Sequence, residues 1–110
     1  SDGTDIEARA HMMSAASMGA TAFQKGLGAI HALSHPIGAR HHTHHGTTNA
    51  VCMPAVLQFN KDAIAERFSL VAAYLGIDGG FDGFCAYVDA LNASMMIPKT
   101  LRTGRQKPRY

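Results

Sequence analysis

Residues 61–75 read KDAIAERFSLVAAYL and are followed by Gly76. Ile64, Phe68, Val71 and Leu75 recur three and four apart, so on a helix they form one apolar stripe, with Asp62 and Glu66 off it. The pattern predicts an amphipathic helix capped by Asn60 and stopped by Gly76. Downstream, past Asp78, Gly79 and Gly80, the stripe Phe84, Val88, Leu91 and Met95 predicts another helix, ended by Pro98. Upstream, the apolar pattern of Val51, Val56 and Phe59 predicts a helix from Thr47, with a bend expected at Pro54.

Two more helices are expected before that. One starts at Asp5 and runs to about Phe23, because Thr4 can cap the amide of Glu7 while Glu7 reaches back. Ile6, Ala10, Met13 and Ala20 fall close to one of its faces, where small residues would let a neighbouring helix approach closely. The other covers roughly Leu27–Ala39, with Leu27, Ile30 and Leu33 apolar and a bend expected at Pro36. No period-two alternation rich in β-branched residues occurs, so the fold class is all-α with about five helices.

Composition bounds the function. The 110 residues hold one domain at most, and 46% hydrophobic content excludes disorder. No clean apolar run is long enough for a membrane span. Residues 1–98 carry net charge −3 and residues 99–110 carry +5, which reads as a domain followed by a basic, solvated tail on no nucleic-acid-reading element. No nucleic-acid or membrane partner is expected. Cys52 and Cys85 lie far apart among apolar neighbours, so reduced thiols and a cytoplasmic location are expected.

The chemistry lies in the histidines. His31 and His35 are four apart on one predicted helix, the spacing by which two imidazoles reach one divalent ion. A hydrolytic zinc motif needs glutamate after the first histidine; Ala32 stands there, so that reading fails. Five of the seven histidines fall within residues 35–45, four of them in Arg40–Gly46, which reads as a loop. Such clustering favours metal or proton chemistry over ordinary surface histidines. Glu7 and His11 read instead as a surface pair one helical turn apart.

Residues 28–38 (GAIHALSHPIG), then His45, Gly46, Asn49 and Ala50, then Pro54, Phe59 and Asn60, resemble the signature of the iron-containing (group III) alcohol dehydrogenases. The resemblance extends over nearly all of residues 5–101. It implies the helical metal-binding domain of the dehydroquinate synthase-like fold, facing a nucleotide-binding domain across a cleft. It further implies hydride transfer between an alcohol and NAD or NADP, with a divalent cation as Lewis acid at the substrate oxygen. Imidazoles suit Fe²⁺ or Zn²⁺; the family favours iron. By motif position His31 and His45 are similar to the family's third and fourth metal ligands. His35 is similar to the histidine beside the nicotinamide and substrate, which implies proton relay or positioning outside the metal's ligand set.

The family's other two ligands form an Asp-x-x-x-His pair, and no Asp of this chain has a His four residues later. The chain is therefore expected to be a fragment that supplies two of four ligands and is inactive, or nearly so, in isolation. Its ending, RTGRQKPRY, resembles nothing in the family. For His31 and His45 to converge, the 40–44 loop must fold back, with Gly46 permitting the turn. His41, His42 and His44 are expected at the cleft edge or surface. The alternative is a histidine-rich metal-sequestering protein without catalysis. Stripes that would pack on other parts of a longer enzyme also lead us to expect a homo-oligomer, with a small alcohol or aldehyde as the substrate partner.

Overall fold

The computed structural model describes residues 3–101, so most of the basic tail lies outside the described residues. Five helices follow in order: α1 (Ile6–Phe23), α2 (Ala29–His41), α3 (His45–Phe59), α4 (Lys61–Tyr74) and α5 (Gly80–Ser94). No strand occurs among the described residues, and none of the helices is long and apolar enough to cross a membrane.

The helix ends follow local chemistry. α1 is capped by Asp5 rather than Thr4: the Asp5 carboxylate accepts from the Ala8 amide at 3.0 Å. α2 runs as helix through Pro36 and α3 through Pro54. Gly76 ends α4 with φ +69, and the amide of Ile77 donates to the Ala72 carbonyl at 2.8 Å, the six-to-one bond of a Schellman turn. Asn60 stands at the head of α4, but its amide donates backward to the Val56 carbonyl at 3.0 Å, so it fastens the end of α3.

The apolar core is built where α3, α4 and α5 meet. Leu57, Phe81 and Val88 are buried, with Met53, Ile64, Ala65, Phe68, Phe84 and Cys85 packed on them. Phe68 meets both Phe81 and Phe84 edge-on, at ring centroid distances of 6.4 and 4.9 Å. The turn into α5 is held by Phe81 N–H donating to Ser69 Oγ at 3.1 Å. It also requires Gly83, because any Cβ there would collide with the Asp78 carbonyl. The end of α5 is tied to α3 by Asn92, whose amide donates to the Ala50 carbonyl at 3.1 Å.

Several stripes turn outward. Among the described residues no helix packs along α1, so Ile6 and Met13 stay 74% and 72% exposed and the close approach expected there has no partner. On α4 the stripe holds for Ile64 and Phe68, but at its end Ala72 is buried while Val71 and Leu75 are exposed. On α3 the expected Val56 is buried, together with Cys52 and Leu57, but Phe59 is 86% exposed. Cys52 is buried and Cys85 half-buried, both as free thiols. Burial pushes both thiols above their ordinary pKa, and the nearby Asp82 and Asp89 carboxylates raise Cys85 further.

Candidate metal centre

α2 and α3 are joined by only His42, Thr43 and His44. The expected 40–46 loop is therefore shorter than the polarity of its residues suggests. Gly46 lies inside α3 and makes no turn; the reversal falls on His42, which takes the left-handed conformation at φ 50 and donates its N–H to the Gly38 carbonyl at 2.8 Å. Histidine is among the side chains enriched in that region. His44 then caps α3, its Nδ1 accepting from the Thr47 amide at 3.3 Å. Buried Thr48 locks the joint: its hydroxyl lies 2.7 Å from Thr43 Oγ1 and 3.0 Å from the His44 carbonyl oxygen.

This joint sets the first turn of α3 against the first two turns of α2. The rings of His31, His35 and His45 form a triangle, with centroid distances of 5.5 Å (31 to 35), 5.3 Å (31 to 45) and 5.4 Å (35 to 45). Each offers one ligand nitrogen, and these atoms all lie within 4.8 Å of one another. Around a tetrahedral ion with metal–nitrogen distances of ~2.1 Å, imidazole nitrogens stand about 3.4 Å apart, so modest ring rotation suffices to enclose an ion. The donor set and its spacing fit a divalent transition metal.

Two neighbours complete the geometry. Phe23, at the end of α1, meets His31 edge-on at 4.8 Å and shields that ring. Asn49, one turn after His45 on α3, places its amide nitrogen 3.1 Å from His45 Nε2 and 3.3 Å from His31 Nε2. Asn49 belongs to the motif read from the sequence, but nothing there gave it a role. Its spacing of four from His45 was the available signal. Beside the rings opens a hollow of about 530 Å³, lined by Gly19, Ala20, Phe23, Leu27 and the three histidines.

The other four histidines stand outside this cluster, and the described residues hold no second group of three metal-ligating side chains. His44 is used as a helix cap, and His41 and His42 are exposed. Glu7 and His11 approach to 3.8 Å on the open surface of α1, the surface pair expected from their spacing.

The described residues thus form an all-α domain that presents three converging imidazoles beside an open hollow. Comparison with known proteins goes further: residues 1–105 match the C-terminal domain of the Fe-containing alcohol dehydrogenase family, and the chain belongs to that family. It is 61% identical over 110 residues to a 4-hydroxybutyrate dehydrogenase of Cupriavidus necator, covering 92% of this chain and 28% of that protein. It is 35% identical over 104 residues to an NADPH-dependent butanol dehydrogenase of Clostridium saccharobutylicum, covering 89% of this chain and 27% of that one. With an NAD-dependent methanol dehydrogenase of Bacillus methanolicus it shares 45% over 76 residues, 68% of this chain and 20% of the relative. The chain thus spans about a quarter of the length of these relatives. No solved structure matches it significantly.

Proposed function

We propose that this chain is the metal-binding segment of an NAD- or NADP-linked dehydrogenase that interconverts small primary alcohols, or short hydroxy acids, and their aldehydes. The observation that carries the reading is the convergence of His31, His35 and His45 on one point beside a hollow large enough for a small alcohol. The 4-hydroxybutyrate, butanol and methanol dehydrogenases among its relatives support the substrate class.

His31 and His45 would hold the metal, iron or zinc, and the shared contact of both Nε2 atoms with the Asn49 amide supports pairing these two. When bound, the metal would supply Lewis acidity toward the substrate oxygen. His35 has no such contact with Asn49, and its exposed ring faces the same hollow, as a group that positions the substrate and nicotinamide or relays a proton would. Phe23 and Leu27 give the hollow an apolar wall against which the carbon chain of a small alcohol can pack. The remaining ligands and the nicotinamide-binding half would come from sequence outside these residues, and the 110 residues alone would not turn over. A sequestering role is disfavoured, because His41, His42 and His44 do not join the cluster. We also propose that the chain self-associates through the exposed apolar residues of α1, which light scattering at micromolar concentration would read as a size above 11.7 kDa.

The test is turnover by the whole enzyme that carries this segment, assayed with 4-hydroxybutyrate and with short primary alcohols using NAD or NADP. His31→Ala and His45→Ala should lose metal and activity together, whereas His35→Ala should lower kcat and keep the metal. Wild-type turnover by His45→Ala would refute the reading, as would ordinary rates from the 110-residue chain alone.

A further inference from the structure

We propose that Asn49 is a positioning residue: in the metal-free protein its carboxamide holds the Nε2 lone pairs of His31 and His45 on one point, and it gives way when a cation enters. The inference rests on the reading of these two histidines as metal ligands.

The chemistry follows from which atoms can donate. An amide nitrogen has two N–H bonds and no lone pair to offer, so at 3.1 and 3.3 Å it can only donate, one hydrogen to each imidazole. Both Nε2 atoms must then be unprotonated, with the ring hydrogens on Nδ1. That is the tautomer in which Nε2 can bind a metal, so two helices are brought to the site with their donor pairs already aimed at one place.

The reverse placement of the amide is worse. The Asn49 carbonyl oxygen is buried without a partner. Exchanging the two atoms would put the acceptor oxygen between the rings and leave an N–H group in the buried position with nothing to receive it. An orphaned buried donor is rarer than an under-used carbonyl oxygen, which selects the arrangement seen. It also explains why a polar side chain occupies this position. A leucine of similar size would fill the space and leave the two rings free to choose either tautomer.

Long-range proton–nitrogen NMR correlation on the metal-free chain reads the tautomers of both rings directly. The expected result is Nδ1–H on His31 and His45, with the Asn49 side-chain amide signals shifting strongly as Zn²⁺ is titrated in. In Asn49→Leu, with helix content by circular dichroism as the folding control, both rings should move to mixed tautomers and zinc affinity should rise about 10-fold, because two hydrogen bonds made only in the metal-free protein no longer compete with the cation for the Nε2 lone pairs. Nε2–H tautomers in the wild-type chain would overturn the proposal, and that measurement needs no variant to fold. A folded Asn49→Leu with unchanged tautomers, or with unchanged or lower zinc affinity, would overturn it too. Failure of the wild-type chain to take up zinc would instead sink the metal reading, because the tautomers of the metal-free rings report on Asn49 independently.

Discussion

Leu57 and Phe59 stand two residues apart near the end of α3, and their exposures of 6% and 86% imply opposite responses to truncation. Leu57→Ala removes a side chain enclosed by Phe81, Val88 and the half-buried residues packed around them. The lost transfer term and the cavity left behind together cost ~2–5 kcal/mol in such cores. A chain of about 100 residues has only about 5–15 kcal/mol of total stability. With few fully buried apolar residues here, the loss is a large share of the whole. Converted at about 4–8 °C per kcal/mol, it lowers Tm by at least 8 °C. Phe59→Ala should change stability by no more than ~0.5 kcal/mol. Thermal and urea unfolding followed by circular dichroism measures both. The effect should reach the site, because α3 carries His45 and Asn49 in its first turns and is anchored by Leu57 in its last. Equal costs for the two variants, or a greater cost for Phe59→Ala, would refute the assignment of the core.

Gly83→Ala drives a Cβ into the Asp78 carbonyl, a backbone atom that cannot swing aside, so the cost should reach or exceed the ~3 kcal/mol upper end of ordinary overpacking in urea unfolding. Asp5→Ala removes the cap of a helix that packs along no other, so the loss of ~1 kcal/mol should appear as faster hydrogen exchange in the first turn of α1, with Tm unchanged. Burial raises the pKa of Cys52, and burial followed by Asp82 and Asp89 raises that of Cys85, so folding favours the neutral thiols. Their contribution is complete below the unfolded thiol pKa of about 8.5 and is lost as pH rises through the folded value. Urea stability should therefore fall above about pH 8.5, and less steeply in Cys52→Ser; a rise in that range would contradict the burial of these thiols.

The number of helices, their order and most of their ends were legible because apolar residues at helical spacing and a terminating glycine such as Gly76 are local signals. Which stripe residue is buried was less so. Phe59 continues the apolar pattern of α3, yet α4 and α5 meet α3 on the side of Leu57, a property of three helices together. The stripe of α1 is real in the sequence, but none of its residues is buried among those described. At the site, the spacing of His31 and His35 within one helix placed them on one face. The approach of His45 depends on a reversal through His42, a left-handed histidine that the sequence does not mark as a glycine would. The bridging place of Asn49 was hidden for the same reason: only the packing of α2 on α3 brings His31 to it.

The central claim is that one ion is held where His31 and His45 meet beside His35. Isothermal titration of the chain with Zn²⁺, paired with X-ray absorption at the zinc edge, tests it most directly. The account predicts one ion per chain with imidazole scattering at about 2.0–2.1 Å. Binding should be lost in His31→Ala or His45→Ala and retained when His41 and His42 are both replaced by alanine. Two or more ions per chain, or binding that survives loss of His31 and disappears with His41 and His42, would contradict it.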